Sequence, residues 1–139
     1  MSQKITAQEG PTITLEAADA AVFVDKEDHL VSLSAASKVV LFDGTAPAIG
    51  TFVSRLSPED TALNVRLLNA PGTARMIQNA AITPGAQVAG VAANARVATA
   101  GAGDRSLGIK IAPPAAGAAG DVIEVITFVE NLPLPPEEP

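Results

Sequence analysis

The chain contains no cysteine, tryptophan or tyrosine, and its only histidine is His29. Without thiols it makes no disulfide and has no thiolate nucleophile or thiolate metal ligand. Without indoles and phenols, the flat platforms on which sugars and bases stack are limited to four Phe. Long apolar runs are missing too: no stretch approaches the ~20 residues that cross a bilayer as a helix. Nine Lys and Arg are scattered singly in a chain of net charge −6, whereas phosphate binding needs grouped cations. No basic amphipathic helix is present to lie on a membrane. Neither nucleic acid nor membrane is therefore an expected partner.

Scarcity of aromatics also bears on stability. Hydrophobic residues make up 47% of the chain, but many are Ala, and only four are Phe. At ~25 cal/mol per Å² of buried apolar surface, such a core stabilises less than an aromatic-rich one. Association with other chains is accordingly an expected source of stability. The first residues, Met1 to Thr6, show no basic-then-apolar signal pattern, so the expectation is use in the cytoplasm or carriage as part of a particle.

What is present is a succession of short aliphatic runs cut by eleven Gly and eleven Pro, the pattern of a mainly β chain. Thr12–Glu16 alternates as a half-buried strand. Ala21–Val24 reads as a short strand entering the charged turn Asp25–Asp28, and Leu30–Leu33 returns. Val39–Phe42 is closed by Asp43-Gly44, a strong turn signal. Ile49–Val53 and Leu63–Leu68 follow, and Asn69–Gly72 ends that half. Ser57–Asp60 reads as a polar loop, with a capped helical turn as the alternative.

In the second half, Arg75–Ile77, Gln87–Val91, Leu107–Ile111 and Asp121–Phe128 read as strands, with a turn at Thr83–Gly85. Residues 93–102 are ambiguous, since Ala favours helix and Val97-Ala98-Thr99 favours strand. Pro113–Gly120 reads as a flexible connection. The fold class is thus mainly β, built of small barrel-like or sandwich-like units with extended arms. The arms are residues 1–16 and the Pro-rich acidic tail 131–139, flanking a β-rich region 17–130.

A gapless shift of 58 residues aligns the two halves. Val39 falls on Val97, Ile49-Gly50 on Leu107-Gly108, Val53 on Ile111, and Val65, Leu67 and Leu68 on Ile123, Val125 and Ile126. Identities are few, and short strands also match by chance. Read as a duplication, the alignment predicts two similar β units, 17–70 and 75–128.

Reactive constellations fail on their ligands. His29 sits beside Asp25, Glu27 and Asp28, but the spacing is not that of a calcium loop, and a solvated turn is the simpler reading. No Ser lies in a nucleophile-elbow setting, and Ser-His-Asp chemistry would have to draw on His29. Glu59-Asp60 and Glu137-Glu138 fall in loops or tails, where a carboxyl keeps its ordinary acidity. Gly101–Gly108 has the glycine density of a phosphate loop. It lacks the Gly-Lys-Ser/Thr ending, and a strand follows where a helix would be needed, so a hairpin turn is expected. No catalytic residue, cofactor or metal site is expected, and the chain reads as a non-enzyme.

The order Ala81–Val88, Ala89-Gly90-Val91, Arg96–Ala100, Leu107-Gly108-Ile109 and Ala115–Val125, with Val39–Gly50 upstream, resembles the head decoration (capsid cement) proteins of tailed bacteriophages, in particular the lambda-type ones. The likeness spans about residues 35–128. It implies a structural protein that binds the outside of an expanded head, clamps neighbouring major capsid subunits, and stands as a homotrimer at three-fold or quasi-three-fold positions. Its location would be the virion surface after synthesis in the host cytoplasm. The length, the doubled layout and the acidic tail depart from the compact members of that family. Residues 1–16 are the expected capsid-contacting arm, anchored by Ile5, Ile13 and Leu15, adding a strand to a partner's sheet edge. The alternatives are another phage structural or surface β-domain (tail, fibre or adhesin), or a ligand-binding β-module.

Overall fold

β-branched residues at alternating positions, bounded by Gly, Pro and Asp, give ten strands in the computed structural model, which describes residues 10–55 and 61–127. These are β1 (Thr12–Glu16), β2 (Leu30–Leu33), β3 (Val39–Leu41), β4 (Gly50–Arg55), β5 (Ala62–Leu67), β6 (Thr73–Ile77), β7 (Gln87–Val91), β8 (Arg96–Thr99), β9 (Gly108–Ala112) and β10 (Val122–Thr127). They form two five-stranded antiparallel sheets of order β1-β5-β4-β2-β3 and β6-β10-β9-β7-β8. The outer strands of each sheet meet through one parallel bridge, Ala17 with Val39 and Gln78 with Val97, so each half closes into a small barrel.

The second order is the first advanced by five strands, and the registers agree residue by residue. Gly50 opposes Leu67 as Gly108 opposes Thr127, and Phe52 opposes Val65 as Lys110 opposes Val125. Each of these two strand pairs carries a bulge, which leaves Val53 and Ile111 at equivalent outward positions. The gapless shift of 58 holds for β3 and β4, taking Val39 to Val97 and Gly50 to Gly108. It fails for β5, where Val65 corresponds to Val125 and not to Ile123, and for β1, where Ala17 corresponds to Gln78. Loops of unequal length absorb the difference, which a gapless comparison misplaces.

Gly50 and Gly108 show why the match reaches backbone detail. A Cβ on either would clash with a carbonyl oxygen of the neighbouring strand, that of Arg66 or of Ile126, and lie 2.8 Å from Cγ1 of Val65 or Val125. Only glycine lets the strands approach so closely.

Three sequence expectations change. Ala20–Phe23 is a 3-10 turn, not a strand, because the Asp19 carboxylate accepts from the Ala21 N–H and caps it. The turns at Asp43-Gly44 and Gly101–Gly103 do not close hairpins, since β2 lies between β3 and β4, and β7 between β8 and β9. Residues 12–16 are not an arm but β1, paired along its length with β5. The ambiguous stretch 93–102 resolves into the β7–β8 turn and β8. Residues 1–9, the Ser57–Asp60 segment and the tail 131–139 lie outside the described residues.

The barrel interiors solve one problem in two ways. In the first, Phe52 packs on Phe23 with ring centroids 5.2 Å apart, amid Val31, Val39, Leu63 and Val65. In the second, the Phe52 position is Lys110, fully buried. Its ammonium donates to the carbonyls of Ile82 (2.7 Å), Ala115 (3.0 Å) and Ala116 (3.2 Å) and to Gln78 Oε1 (3.3 Å). Gln78, the counterpart of Ala17, donates through Nε2 to the carbonyls of Ala116 and Ala118. The connection 113–120, expected to be flexible, is therefore pinned to the barrel by two buried polar side chains.

Both features predict stability losses readable by urea denaturation. Gly50→Ala and Gly108→Ala should each cost about 3 kcal/mol or more, because backbone, not a side-chain tip, stands in the way. Lys110→Ala should cost a similar ~3 kcal/mol or more, since it removes a fully buried side chain and the donor to the Ile82 carbonyl and Gln78 Oε1 in the barrel interior. A loss below ~1 kcal/mol in either case would contradict the reading.

Candidate docking surfaces

The expected anchors divide. Ile5 lies outside the described residues. Ile13 and Leu15 point into the first barrel opposite Val65 and Leu63, and Leu15 packs against its core. They are held by the sheet and are not presented on a free arm. Both also line a groove of about 430 Å³ with Leu33, Ile49 and Leu67, rimmed by Arg105 of the second barrel.

The equivalent groove of the second barrel is full. The counterparts of Ile13, Leu15, Ile49 and Leu67 are Ala74, Met76, Leu107 and Thr127, all buried. Leu30, Ala48 and Leu68 of the first barrel join that core, with Phe42 packed against it. At Gly90, the counterpart of Leu33, a Cβ would lie 2.7 Å from the Phe42 ring and 3.0 Å from Leu30 Cδ1. The absent side chain makes room for the neighbouring barrel. A main-chain bond from Leu30 N–H to the Ala95 carbonyl (2.8 Å) fixes the seam.

The outer faces of the barrels also differ at matched positions. On the first, β1, β5 and β4 direct Glu16, Ala62, Arg66 and Ser54 to that side, together with Thr51, which is buried. On the second, the same register positions carry Ile77, Val122, Ile126, Ile109 and Ala112. Ile111, Val122 and Ile126 are each about two-fifths exposed. Arg75 and Glu124 form a charged row between them, with Glu124 accepting from Thr73 Oγ1 (2.7 Å). Substitution towards aliphatic residues on one copy alone is not explained by strand propensity, which both copies share.

A polar cleft lies between the barrels, where Arg75 and Asp28 approach to 3.4 Å and Arg66 donates to the carbonyls of Pro71 and Thr73. His29, read from sequence as part of a solvated turn, is buried. Its backbone is tied into the barrel by the Phe52 N–H, and its Nδ1 lies 3.1 Å from the Glu27 carbonyl. Among the described residues no three acidic, His or Cys side chains gather as a metal cluster would require. The Gly101–Gly108 segment closes on itself through Asp104, whose carboxylate accepts from the Gly101 N–H. No helix among the described residues is long and apolar enough to cross a membrane.

No family model, curated protein or solved structure matches this chain. Its surfaces therefore have to be read from their own chemistry. Sequence reasoning missed both the groove and the aliphatic face, although the face was legible in principle: Val122, Glu124 and Ile126 alternate with the inward Ile123, Val125 and Thr127.

The cleft yields a pH prediction. Burial pushes the Asp28 carboxyl above its ordinary value of 3.8; Arg75 opposes the rise, Glu27 adds to it and His29 opposes it. An acid whose pKa is raised on folding holds its proton more tightly when folded. Its ionised form then costs stability, increasingly as pH climbs from the unfolded value through the folded one. Asp28→Asn should accordingly gain stability relative to the parent chain as pH rises from about 3 to about 7. Urea midpoints across that range test it, and a constant difference would refute the assignment.

Proposed function

We propose that the chain is a structural decoration protein that docks on the outer surface of a virus head, with the second barrel's outer sheet turned towards the major capsid protein. The observation that carries this reading is the contrast between the outer faces at identical register positions. The first barrel carries Ala62 and Arg66 where the second exposes Val122 and Ile126 around the Arg75–Glu124 row; Ile111 adjoins them, as the equally exposed Val53 does on the first barrel. Aliphatic residues flanking an exposed arginine suit the buried centre of a protein interface better than a solvated face. A cement protein has to stay dissolved until it docks, and that requires one wet face and one adhesive face.

The resemblance of residues 35–128 to phage decoration proteins supplies the partner. Three exposed aliphatic side chains are far fewer than the ~20–30 residues per side of a stable pairwise interface. Contacts of that size serve where many are made at once, as on a repeating shell. The charged row fixes orientation more than it adds affinity.

The test is occupancy of heads. Expanded heads of the virus that encodes the chain should carry it on the outer surface in many copies. Ile126→Asp and Val122→Asp should each lower occupancy by about tenfold or more while leaving the melting temperature within a few degrees. Recovery of the chain only at the tail, in few copies, would favour a tail or fibre component and overturn the proposal.

A further inference from the structure

The connection that follows β1 differs between the barrels in a way the sheets do not. Ala18 and Asn79 bond to equivalent carbonyls of Val39 and Val97, and Asp28 and Gly85 to those of Phe52 and Lys110. Asp28 follows Ala18 by ten positions, whereas Gly85 follows Asn79 by six. The first barrel therefore carries four extra residues here, and they form the capped 3-10 turn. Phe23 is buried under it, while Val22 and Val24 stand 43% and 56% exposed. Val24 has the highest value among the exposed large hydrophobic residues described, on a segment that the second barrel lacks. The same segment carries Asp19, Asp25, Glu27 and Asp28 against one Lys26.

The first barrel thus holds two unmatched features: an aliphatic knob set in negative charge, and an aliphatic groove whose rim bears the cation Arg105. Within the chain the counterpart groove is already filled by a neighbouring barrel's side chains, chiefly Phe42 and Leu30 at Gly90. The second barrel cannot repeat that insertion into another copy, because its residues equivalent to Leu30 and Phe42 are Gln87 and Ala100. A second copy that fills the open groove would therefore have to do so with another part of its surface, and the knob has the matching chemistry.

We infer that the chain self-associates by seating Val22 and Val24 of one copy in the Ile13–Leu15–Leu33–Ile49 groove of another, with Arg105 facing the acidic flank of the knob. Aliphatic burial supplies affinity, and the charge match supplies orientation. The contact joins different surfaces, so it closes into a ring where the rotation permits and extends as a filament where it does not. It uses no residue of the second barrel's aliphatic face. A chain that associates but leaves heads bare would count against the capsid reading alone, and a monomer that still coats heads would count against this one alone.

Sedimentation velocity of the full chain over a concentration series provides the test, with circular dichroism confirming that each variant is folded. The parent chain should sediment as an assembly of two or more copies. Val22→Asp with Val24→Asp, on the exposed turn, should weaken association by about a hundredfold or more. Leu33→Asp should do the same from the groove side. Arg105→Glu should weaken it at low salt, and adding Glu27→Lys should restore it, which a merely misfolded variant would not show. A parent chain that stays monomeric at every concentration overturns the inference. So does association that survives the paired valine substitutions. Loss of assembly on deleting residues 128–139, with the valine variants unaffected, would assign the groove to that segment and overturn it equally.

Discussion

Phe42 lies over Gly90 so closely that no side chain could stand between them, and the relation of the two barrels follows from that contact. A five-stranded barrel closed by one bridge keeps an open flank, here the gap between its first and third strands. The second barrel covers its flank with aliphatic side chains borrowed from the first, and the borrowed set, Leu30, Ala48 and Leu68, becomes part of a single core. Leu33, in the position of Gly90, is more than a third exposed in the first barrel. One substitution between large and absent side chains thus separates a sealed flank from an available one. The chain is asymmetric because it is doubled and joined, and its surfaces differ for that reason.

The same divergence runs through the interiors. Phe52 on Phe23 fills the first barrel by area alone, whereas Lys110 and Gln78 fill the second by satisfying carbonyls. Burying an ammonium among neutral oxygens is costly unless every donor is used. Here four oxygens surround it, and three of them are main-chain carbonyls of connections, those of Ile82, Ala115 and Ala116. The polar plug holds the connection 113–120, and the aromatic plug holds the 3-10 turn through Phe23. This division accounts for an Ala- and Gly-rich connection, 113–120, that is held in place without contributing apolar area.

Much of the fold was legible because strand residues carry a local signal. β-branched alternation located β1, β2, β4, β5, β9 and β10, and the pairing of Ile49-Gly50 with Leu107-Gly108 located equivalent crossings in the two halves. Ala20–Phe23 was not legible: Val22, Phe23 and Val24 are strand formers by composition, and one capping bond from Asp19 decides otherwise. The groove was hidden for a different reason. Ile13 and Leu15 alternate as any inward pair does, and only the counterparts Ala74 and Met76, buried by another barrel, reveal that the first pair lacks a cover. Lys110 is one residue of the strand Leu107–Ile111 in the sequence, and only the register, which places it opposite Val125, shows that it takes the position of Phe52.

Barrel closure also bears on the mode of docking. Strand addition to a partner's edge was the natural expectation for an N-terminal arm, but β1 spends its backbone on β5, and the bridges at Ala17 and Gln78 bring the outer strands of each sheet together. The edges left beside those single bridges face the flank between the first and third strands, which the second barrel has covered and the first has not. The exposed aliphatic residues project from sheet faces and turns, where affinity depends on area and shape and not on a ladder of backbone bonds. Side-chain contacts of this size are individually weak. A molecule that relies on them gains permanence by presenting several at once, and that argues for a partner, or an assembly of its own copies, which repeats.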